Sequence, residues 1–257
     1  MNEKINYSSH EIMTIVAARE INNGDIVFCG TGISMLAAMA AKNINAPESV
    51  VFFETGAIDS ELDEIPLSVG DPRVMYHTSS NSSLIDSFAF MQNKKTGSRV
   101  IGILGAAQID KFGNLNSTVI GDYSNPDIRF SGSGGAADVA SFVPESIIFM
   151  QHQKRKFVKT LDYLTSPGYI NGPNGRKNAG LPEGGPKLVI TDLGVLRFDN
   201  KTKEMYLAGY YPGISPQQIL DNMSFGVDVS KAKEIQAPTK NELKILREKC
   251  DPQGLIL

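Results

Sequence analysis

The chain has 257 residues, which is enough for one large α/β domain or two small ones, and either can bury a full hydrophobic core. Hydrophobic residues make up 41% and charged residues 21%, as in an ordinary soluble globular protein. With 25 basic and 28 acidic residues the net charge is -3, which gives no electrostatic reason to expect nucleic acid or an anionic membrane as a partner.

The sequence also bears on the compartment. The N-terminus, MNEKINYSSHE, lacks the basic-then-apolar pattern of a signal peptide. The longest apolar runs, such as IGILGAA at 101–107, are too short to cross a bilayer. Two cysteines, Cys29 and Cys250, indicate neither a disulfide framework nor a Cys-rich zinc site. These features predict a reduced, cytoplasmic protein without membrane association.

The first two thirds of the chain alternate strand and helix signals. Ser8 and Glu11 have the spacing of a capping box ahead of an apolar helical face, and Asn22-Asn23-Gly24 supplies an end signal. Helices are also predicted after Gly32 and over 83–91. The apolar runs typical of buried strands are at 25–29, 50–54, 74–77, 99–104 and 146–151. This alternation predicts an open, mostly parallel α/β sheet flanked by helices.

The sequence changes character beyond residue 165. Residues 166–186 (SPGYINGPNGRKNAGLPEGGP) are rich in Gly, Pro and Asn and predict a long loop. Residues 187–198 and 204–211 predict an antiparallel ribbon in the C-terminal third, followed by two helices that begin near Ser215 and Thr239. We therefore interpret residues 1–257 as a single domain with one long functional loop.

Two glycine clusters are candidate binding loops. Gly30-Thr31-Gly32 follows a strand and opens a helix, but Met35 stands where a dinucleotide-binding fingerprint needs its third glycine. The second cluster, 131–136 (SGSGGA), lacks the Gly-Lys-Ser/Thr ending of a phosphate-binding P-loop. Each cluster is either a plain tight turn or a loop that presents backbone N–H groups to a phosphate or a developing oxyanion.

The sequence gives little support for a metal site or for the catalytic triad of a serine hydrolase. The three histidines, His10, His77 and His152, are scattered and belong to no H-E-x-x-H motif. A G-x-S-x-G nucleophile elbow is absent from the sequence. The sequence therefore predicts no metal site.

Glu54 stands out by its position. It ends the apolar run Val50–Phe53 and is followed at once by Thr55 and Gly56. Open α/β sheets bind their ligands at the carboxyl ends of strands, which makes Glu54 a candidate reactive carboxylate. A hydrogen-bonded structural acid is the alternative that position alone leaves open.

Seven blocks of the sequence carry a family likeness. They are Val50–Gly70, Gly105–Asp110, Phe112–Thr118, Phe130–Ala136, Met150–Phe157, Thr165–Gly168 and Leu207–Pro212. Taken together they resemble class I coenzyme A transferases, in particular the beta subunit of glutaconate CoA-transferases, which carries the catalytic glutamate. The resemblance runs in register from about Glu11 to about Gln253 and so covers nearly the whole chain.

The resemblance implies the open α/β sheet of class I transferases and a partner alpha subunit that completes the active site, in a heterotetramer or a larger assembly. It places the family's nucleophile at Glu54. The backbone positions that it implies for oxyanion stabilisation or CoA binding are Gly30, Thr31, Gly32, Gly134, Gly135 and Ala136. No permanently bound cofactor is implied, because the coenzyme A thioester is a substrate.

The implied reaction moves CoA from an acyl-CoA donor to a carboxylic acid, including a dicarboxylic acid, through a covalent glutamyl-CoA thioester on Glu54. An acyl-CoA or ring-opening hydrolase on the same fold is one alternative, and a non-catalytic structural subunit is another. Decarboxylase relatives replace the glutamate by cysteine, so the retained Glu54 argues against that activity. The basic run Lys154–Lys156 either meets the CoA phosphates or forms a solvated face.

Overall fold

A computed structural model of the chain describes residues 5–62, 64–93 and 95–257. Residues 1–4, Asp63 and Lys94 belong to the predicted 1–257 domain and lie outside the described residues. The α-helices are α1 (Ser9–Ala18), α2 (Ile33–Ile44), α3 (Leu84–Gln92), α4 (Ala136–Phe142), α5 (Gly175–Asn178), α6 (Pro216–Asp221) and α7 (Lys240–Ile245). The strands are β1 (Ile26–Phe28), β2 (Val50–Phe52), β3 (Ala57–Ile58), β4 (Ser80–Asn81), β5 (Val100–Gly105), β6 (Gln108–Ile109), β7 (Leu115–Asn116), β8 (Val119–Gly121), β9 (Pro126–Arg129), β10 (Glu145–Met150), β11 (Pro186–Thr191), β12 (Gly194–Phe198), β13 (Met205–Tyr210) and β14 (Lys233–Glu234).

The chain forms two compact units. The first comprises residues 1–103 and 237–257, and the second comprises residues 104–236. The interpretation of residues 1–257 as one domain stays a prediction. In the part of the chain that the structure describes, no helix has both the length and the apolar character needed to span a bilayer.

In the first unit, β1 is a parallel strand between two neighbours. It pairs with β2 on one side and with the first residues of β5 on the other, so that Phe28 lies opposite both Phe52 and Gly102. β2 then turns back into β3, and β3 pairs antiparallel with β4. Helices α1 and α2 pack against each other and bury Ile15 and Leu36 completely. The alternation of strand and helix predicted from the sequence is confirmed here.

The predicted helix starts near Ser8, Ser215 and Thr239 are confirmed, but α1 ends at Ala18, before the predicted end signal at 22–24, and one predicted strand is wrong. Capping boxes at Ser8 and Thr239 open α1 and α7. Residues 74–77, however, are not a strand, because a 3₁₀ turn spans Pro72–Met75. The Asp71 carboxylate accepts a hydrogen bond from the Arg73 N–H at 3.0 Å, and the ring of Pro72 fixes φ at the start of the turn. The apolar residues there suggested a strand, but this cap decides the local structure.

The second unit contains the predicted antiparallel ribbon. β10 and β11 are parallel, after which β11, β12 and β13 pair antiparallel in sequence. The run 187–198, predicted as one strand, contains two strands that turn at Asp192 and Leu193. The Thr191 hydroxyl accepts a hydrogen bond from the Gly194 N–H at 3.1 Å and so fixes this turn. β14 pairs parallel with β13, and the unit also contains two small hairpins, β6–β7 and β8–β9.

The loop predicted at 166–186 is anchored by a buried cation. Arg176, on the short helix α5, is 5% exposed, and its guanidinium donates to the carbonyl oxygens of Ala140 at 3.0 Å, Ser141 at 2.7 Å and Pro182 at 3.1 Å. Two of these carbonyls belong to the last turns of α4, where a positive charge is favoured by the helix dipole. The loop is therefore a packed part of the second unit.

Two ion pairs with buried glutamates tie the C-terminal helical segment to α1 in the first unit. Arg247 donates to the carboxylate of Glu11, and Arg19 donates to that of Glu242 at 2.8 Å through two nitrogens. Burial opposes ionisation of both glutamates. The hydrogen bonds from the arginines and from the capping backbone outweigh it, so the pKa of each glutamate lies below its usual value.

These depressed pKa values predict a loss of stability in acid. The contribution is complete above the ordinary glutamate pKa of about 4.3 and disappears as the pH falls through the lower folded-state values. We expect the free energy of unfolding of the double variant Glu11→Gln/Glu242→Gln to depend less on pH between about 5 and 3 than that of the parent chain. Glutamine keeps both capping boxes. Urea unfolding of the variant and the parent chain at several pH values measures this dependence. An equal change of the unfolding free energy with pH in both proteins would contradict the prediction.

Candidate active site

Glu54 lies in a tight hairpin turn at the carboxyl end of a parallel strand. The Phe53 N–H donates to the Ala57 carbonyl at 3.0 Å, and the Gly56 N–H donates to the Phe53 carbonyl at 3.1 Å. Glu54, Thr55 and Gly56 are therefore a three-residue hairpin loop, the type that places glycine at its left-handed third position. The sequence predicted the strand end but not the return strand β3, which makes the turn.

Gly56 is required at this turn for two reasons. Its φ is +101°, a backbone conformation that favours glycine. A Cβ atom at this position would also lie 2.0 Å from the carbonyl oxygen of Ser82. The Ser82 N–H donates to the Gly56 carbonyl at 2.8 Å, and the buried Ser87 hydroxyl donates to the Phe53 carbonyl at 3.2 Å. These two hydrogen bonds from the segment around α3 therefore fix the position of the turn.

The Glu54 carboxylate has no internal partner among the residues that the structure describes. The side chain is half-buried, and within the described residues no group donates a hydrogen bond to it and no cation pairs with it. A purely structural acid at a strand end would accept such bonds. Next to it, the Thr55 hydroxyl oxygen is buried, also without a hydrogen-bond partner in the part of the chain described. The arrangement leaves the carboxylate available as a nucleophile.

Gly30-Thr31-Gly32 leaves the sheet at the same edge as Glu54. β1 and β2 are parallel neighbours in register at Phe28 and Phe52, so Gly30 and Glu54 each follow two residues later. Gly32 is the N-cap residue of α2, with φ of +81°. Nothing among the described residues accepts a hydrogen bond from the N–H groups of residues 30–33. The structure therefore brings these unengaged donors and Glu54 to one edge of the first unit, where they can stabilise negative charge.

A salt bridge links α2 to the hairpin that carries Glu54. Lys42, in the last turn of α2, pairs with the carboxylate of Asp59, which follows β3 directly. The Asp59 N–H donates to the Val51 carbonyl at 2.6 Å. This salt bridge therefore fastens helix α2 to the hairpin that carries the candidate nucleophile, at a point away from the turn itself.

Cys29 is a second potential nucleophile at this edge, and its environment disfavours that role. It is completely buried directly before Gly30. Burial raises the pKa of its thiol to about 12. Because the thiolate is the reactive form of cysteine, Cys29 is inert at neutral pH. Glu54 remains the candidate nucleophile.

The second glycine cluster lies in the second unit, where a loop leads into α4. The Gly132 N–H donates to the Ser117 carbonyl at 3.1 Å, and the Ser117 hydroxyl donates to the Gly132 carbonyl at 3.1 Å. The Ala136 N–H donates to the Ser133 carbonyl at 3.0 Å and is thus engaged. The N–H groups of Gly134 and Gly135 have no acceptor among the described residues. Among the three predicted positions, these two are the better candidate donors.

Sequence reasoning missed the residues that support the site. Gly56, Ser82 and Ser87 shape the Glu54 turn through contacts between segments about thirty residues apart, for which the sequence contains no local signal. In the part of the chain that the structure describes, no group of His, Cys, Asp and Glu side chains could hold a metal ion.

Comparisons with known proteins agree on the family. Residues 10–222 match the model of the coenzyme A transferase family. The chain is 46% identical to the B subunit of glutaconate CoA-transferase from Acidaminococcus fermentans over 98% of this chain and 96% of the relative. It is 36% identical to the B subunit of 3-oxoadipate CoA-transferase from Pseudomonas knackmussii over 94% of this chain and 92% of the relative.

A solved structure extends the agreement to the fold. The crystal structure of glutaconate coenzyme A-transferase from Acidaminococcus fermentans superposes with a TM-score of 0.95 at 45% identity, covering 98% of this chain and 97% of the matched one. The predicted fold class, a mostly parallel α/β sheet flanked by helices with an antiparallel ribbon, is confirmed by this match. Both sequence relatives are B subunits aligned over nearly their full length. The chain belongs to the coenzyme A transferase family.

Proposed function

We propose that this chain is the B subunit of a heteromeric CoA-transferase and that Glu54 carries the covalent glutamyl-CoA thioester. One observation supports this above all. A carboxylate without an internal partner among the described residues lies in a tight glycine turn at the carboxyl edge of parallel strands, beside the unengaged N–H groups of residues 30–33. The alternative of a structural acid loses support, because such an acid would accept hydrogen bonds from its surroundings.

The proposed reaction uses Glu54 first as the nucleophile and then, as its acyl derivative, as the electrophile. A Glu54 carboxylate oxygen attacks the thioester carbonyl of the donor acyl-CoA and expels CoA thiolate, which leaves a mixed anhydride. The thiolate then attacks the glutamyl carbonyl, so that the donor acid leaves as a carboxylate and the CoA sulfur is bonded to Glu54. The acceptor carboxylate attacks this glutamyl thioester, and the same two steps in reverse give the new acyl-CoA and regenerate Glu54.

Fixed N–H donors would stabilise each tetrahedral intermediate. The negative charge of the intermediate is on oxygen, and backbone N–H groups of a rigid loop lower its energy without reorganisation. Residues 30–33 beside Glu54, and Gly134 and Gly135 in the second unit, are the proposed donors. One such donor typically contributes about 3–4 kcal/mol to the transition state. Exclusion of water is the other requirement, because water would hydrolyse the anhydride or the thioester.

The remaining assignments follow from the relatives. Both are named as B subunits, so we propose an alpha subunit as partner, in a heterotetramer or larger assembly. Their names contain glutaconate and 3-oxoadipate, which are dicarboxylates, and we propose a dicarboxylic acid as acceptor or donor acid. Both cysteines are buried free thiols, as in proteins of a reducing compartment, so we propose a cytoplasmic location.

The covalent intermediate gives the decisive experiment. The chain is purified with its co-expressed alpha subunit and incubated with a panel of acyl-CoA donors in the absence of acceptor, and the intact mass of the chain is measured. We expect a mass increase equal to that of CoA less one water, located by peptide mapping on the peptide that contains Glu54, and no such increase in the Glu54→Gln variant. The donor that loads fastest would identify the substrate class.

Two outcomes would contradict the proposal. Steady release of free CoA without an adduct would favour a hydrolase, in which water intercepts the intermediate. An adduct that persists in the Glu54→Gln complex would assign the nucleophile to another residue or to the partner subunit. In that second case Glu54 would be a structural acid.

A further inference from the structure

The second unit contains an open cavity that the proposed chemistry does not yet use. Its volume is about 510 Å³, within the usual range for small-molecule pockets. Arg155 and Lys156 are the charged residues of its lining, and no carboxylate joins them there among the described residues. Lys154, the first member of the same basic run, is exposed and does not line the cavity. The cavity is therefore positively charged at one wall.

Both cationic groups are free to bind a ligand. The Arg155 Nε donates to the Gln153 side-chain oxygen at 2.9 Å, and its terminal nitrogens have no acceptor in the described part of the chain. Lys156 is half-buried, and within the same part its Nζ has neither a hydrogen bond nor an ion pair. Burial and the neighbouring Arg155 lower the pKa of Lys156, and Asp192 partly offsets this. A half-buried ammonium group without a partner is costly, and an anionic ligand would remove the cost.

The backbone that carries these two residues is rigidly fixed. The Lys156 N–H donates to the Gln153 carbonyl at 2.8 Å, and the Lys156 carbonyl accepts from the Ile109 N–H at 2.7 Å. The next residue, Phe157, is completely buried, and its ring stacks on that of His152 with 4.4 Å between centroids. A preorganised pair of cations loses little entropy when it binds an anion.

The rest of the cavity is partly apolar. Ile120 and Ile128 are paired across the β8–β9 hairpin, and Phe130 follows on the same side. Ile128 is 48% exposed and Phe130 37% exposed, so both offer apolar surface to a ligand. A ligand that fits has several negative charges at one end and a ring or chain that packs on Ile128 and Phe130.

We propose that this cavity binds the phosphate-bearing adenosine end of coenzyme A, with Arg155 and Lys156 on the phosphates and Ile128 and Phe130 against the apolar part. The inference rests on the proposed CoA-transferase function. The volume and the pair of cations favour this occupant over the carboxylic acid substrate, since a small acid would fill only a fraction of the cavity. Guanidinium and ammonium groups both suit phosphate oxygens.

The test compares thioesters with and without phosphates. The assembled complex is assayed with an acyl-CoA and with the corresponding acyl-pantetheine, which has the same thioester but no phosphate. For the acyl-CoA, we expect kcat/KM of the Arg155→Gln/Lys156→Gln variant to fall about 10- to 100-fold, because charge-assisted hydrogen bonds to the phosphates are lost. For the acyl-pantetheine, the factor by which kcat/KM falls should be at least ten times smaller. Lys154→Gln is the matched control, with the same kind of charge change outside the cavity. Adenosine 3′,5′-bisphosphate should inhibit the parent complex and inhibit the double variant much less.

The possible results separate this inference from the proposed function. Equal losses for both thioesters, or no loss for either, would overturn the phosphate assignment. A rise in KM confined to the acceptor acid would assign the cavity to the carboxylate and likewise overturn it. The parent complex serves as reference for the function itself: if it forms no adduct on Glu54 with either thioester, the proposed function fails whatever the variants do.

Discussion

Replacement of Glu54 by Gln is expected to lower turnover of the assembled complex by about 10⁴-fold or more, the scale on which removal of a catalytic nucleophile acts. The amide is nearly isosteric with the carboxylate, but its oxygen does not attack a thioester to form an anhydride. Steady-state transfer of CoA from donor to acceptor measures this loss. The variant chain should also remain free of the CoA adduct.

The fold should tolerate this substitution. Within the described residues the Glu54 side chain has no hydrogen bond or ion pair to lose, so we expect the free energy of unfolding to change by less than about 0.5 kcal/mol. Glu61→Gln, an exposed acid on the same segment, is the matched control and should keep activity within about twofold. Turnover of Glu54→Gln near the level of this control would make the chain a structural subunit.

Much of the first unit could be predicted because its signals are local. Capping boxes such as Ser8 with Glu11 and Thr239 with Glu242 place a helix start within four residues, so the sequence contains the whole interaction. The strand–glycine–helix order around Gly30 is likewise a short pattern. Residues 74–77 show the limit of such reasoning. Their apolar character favoured a strand, but Asp71 and Pro72, just upstream, set a helical turn instead.

The supports of the candidate site could not be predicted, because they connect distant segments. Nothing near Glu54 in the sequence indicates that the Ser82 backbone lies against Gly56, or that the Ser87 hydroxyl reaches the Phe53 carbonyl. Arg176 is a similar case in the second unit, since a basic residue in a Gly/Pro-rich segment suggests an exposed loop rather than a buried anchor of α4. The sequence identified the candidate carboxylate by position, and packing explains why it stays in place.

Gly56→Ala should separate the position of Glu54 from its chemistry, because this variant keeps the nucleophile and disturbs only the turn. Alanine at φ of +101° is strained, and its Cβ would lie 2.0 Å from the Ser82 carbonyl oxygen, so the turn and the segment before α3 must move apart. We expect a destabilisation of about 2–4 kcal/mol from backbone strain and overpacking. We also expect kcat/KM to fall about 100-fold, as for an ångström-scale displacement of a catalytic group. Urea unfolding and the rate of CoA adduct formation measure the two effects.

Gly70→Ala is the matched control for this variant. Gly70 is exposed, and an added Cβ would meet only the Ser68 hydroxyl, at an ordinary 3.8 Å, so stability should change by less than about 0.5 kcal/mol. If Gly56→Ala lost stability but loaded CoA onto Glu54 at the parent rate, the turn would serve the fold alone. If Gly56→Ala lost neither stability nor the rate of CoA adduct formation, the close contact with Ser82 would not constrain the position of Glu54. Loss of both, with the control unchanged, would mean that the hairpin loop holds Glu54 in its reactive position.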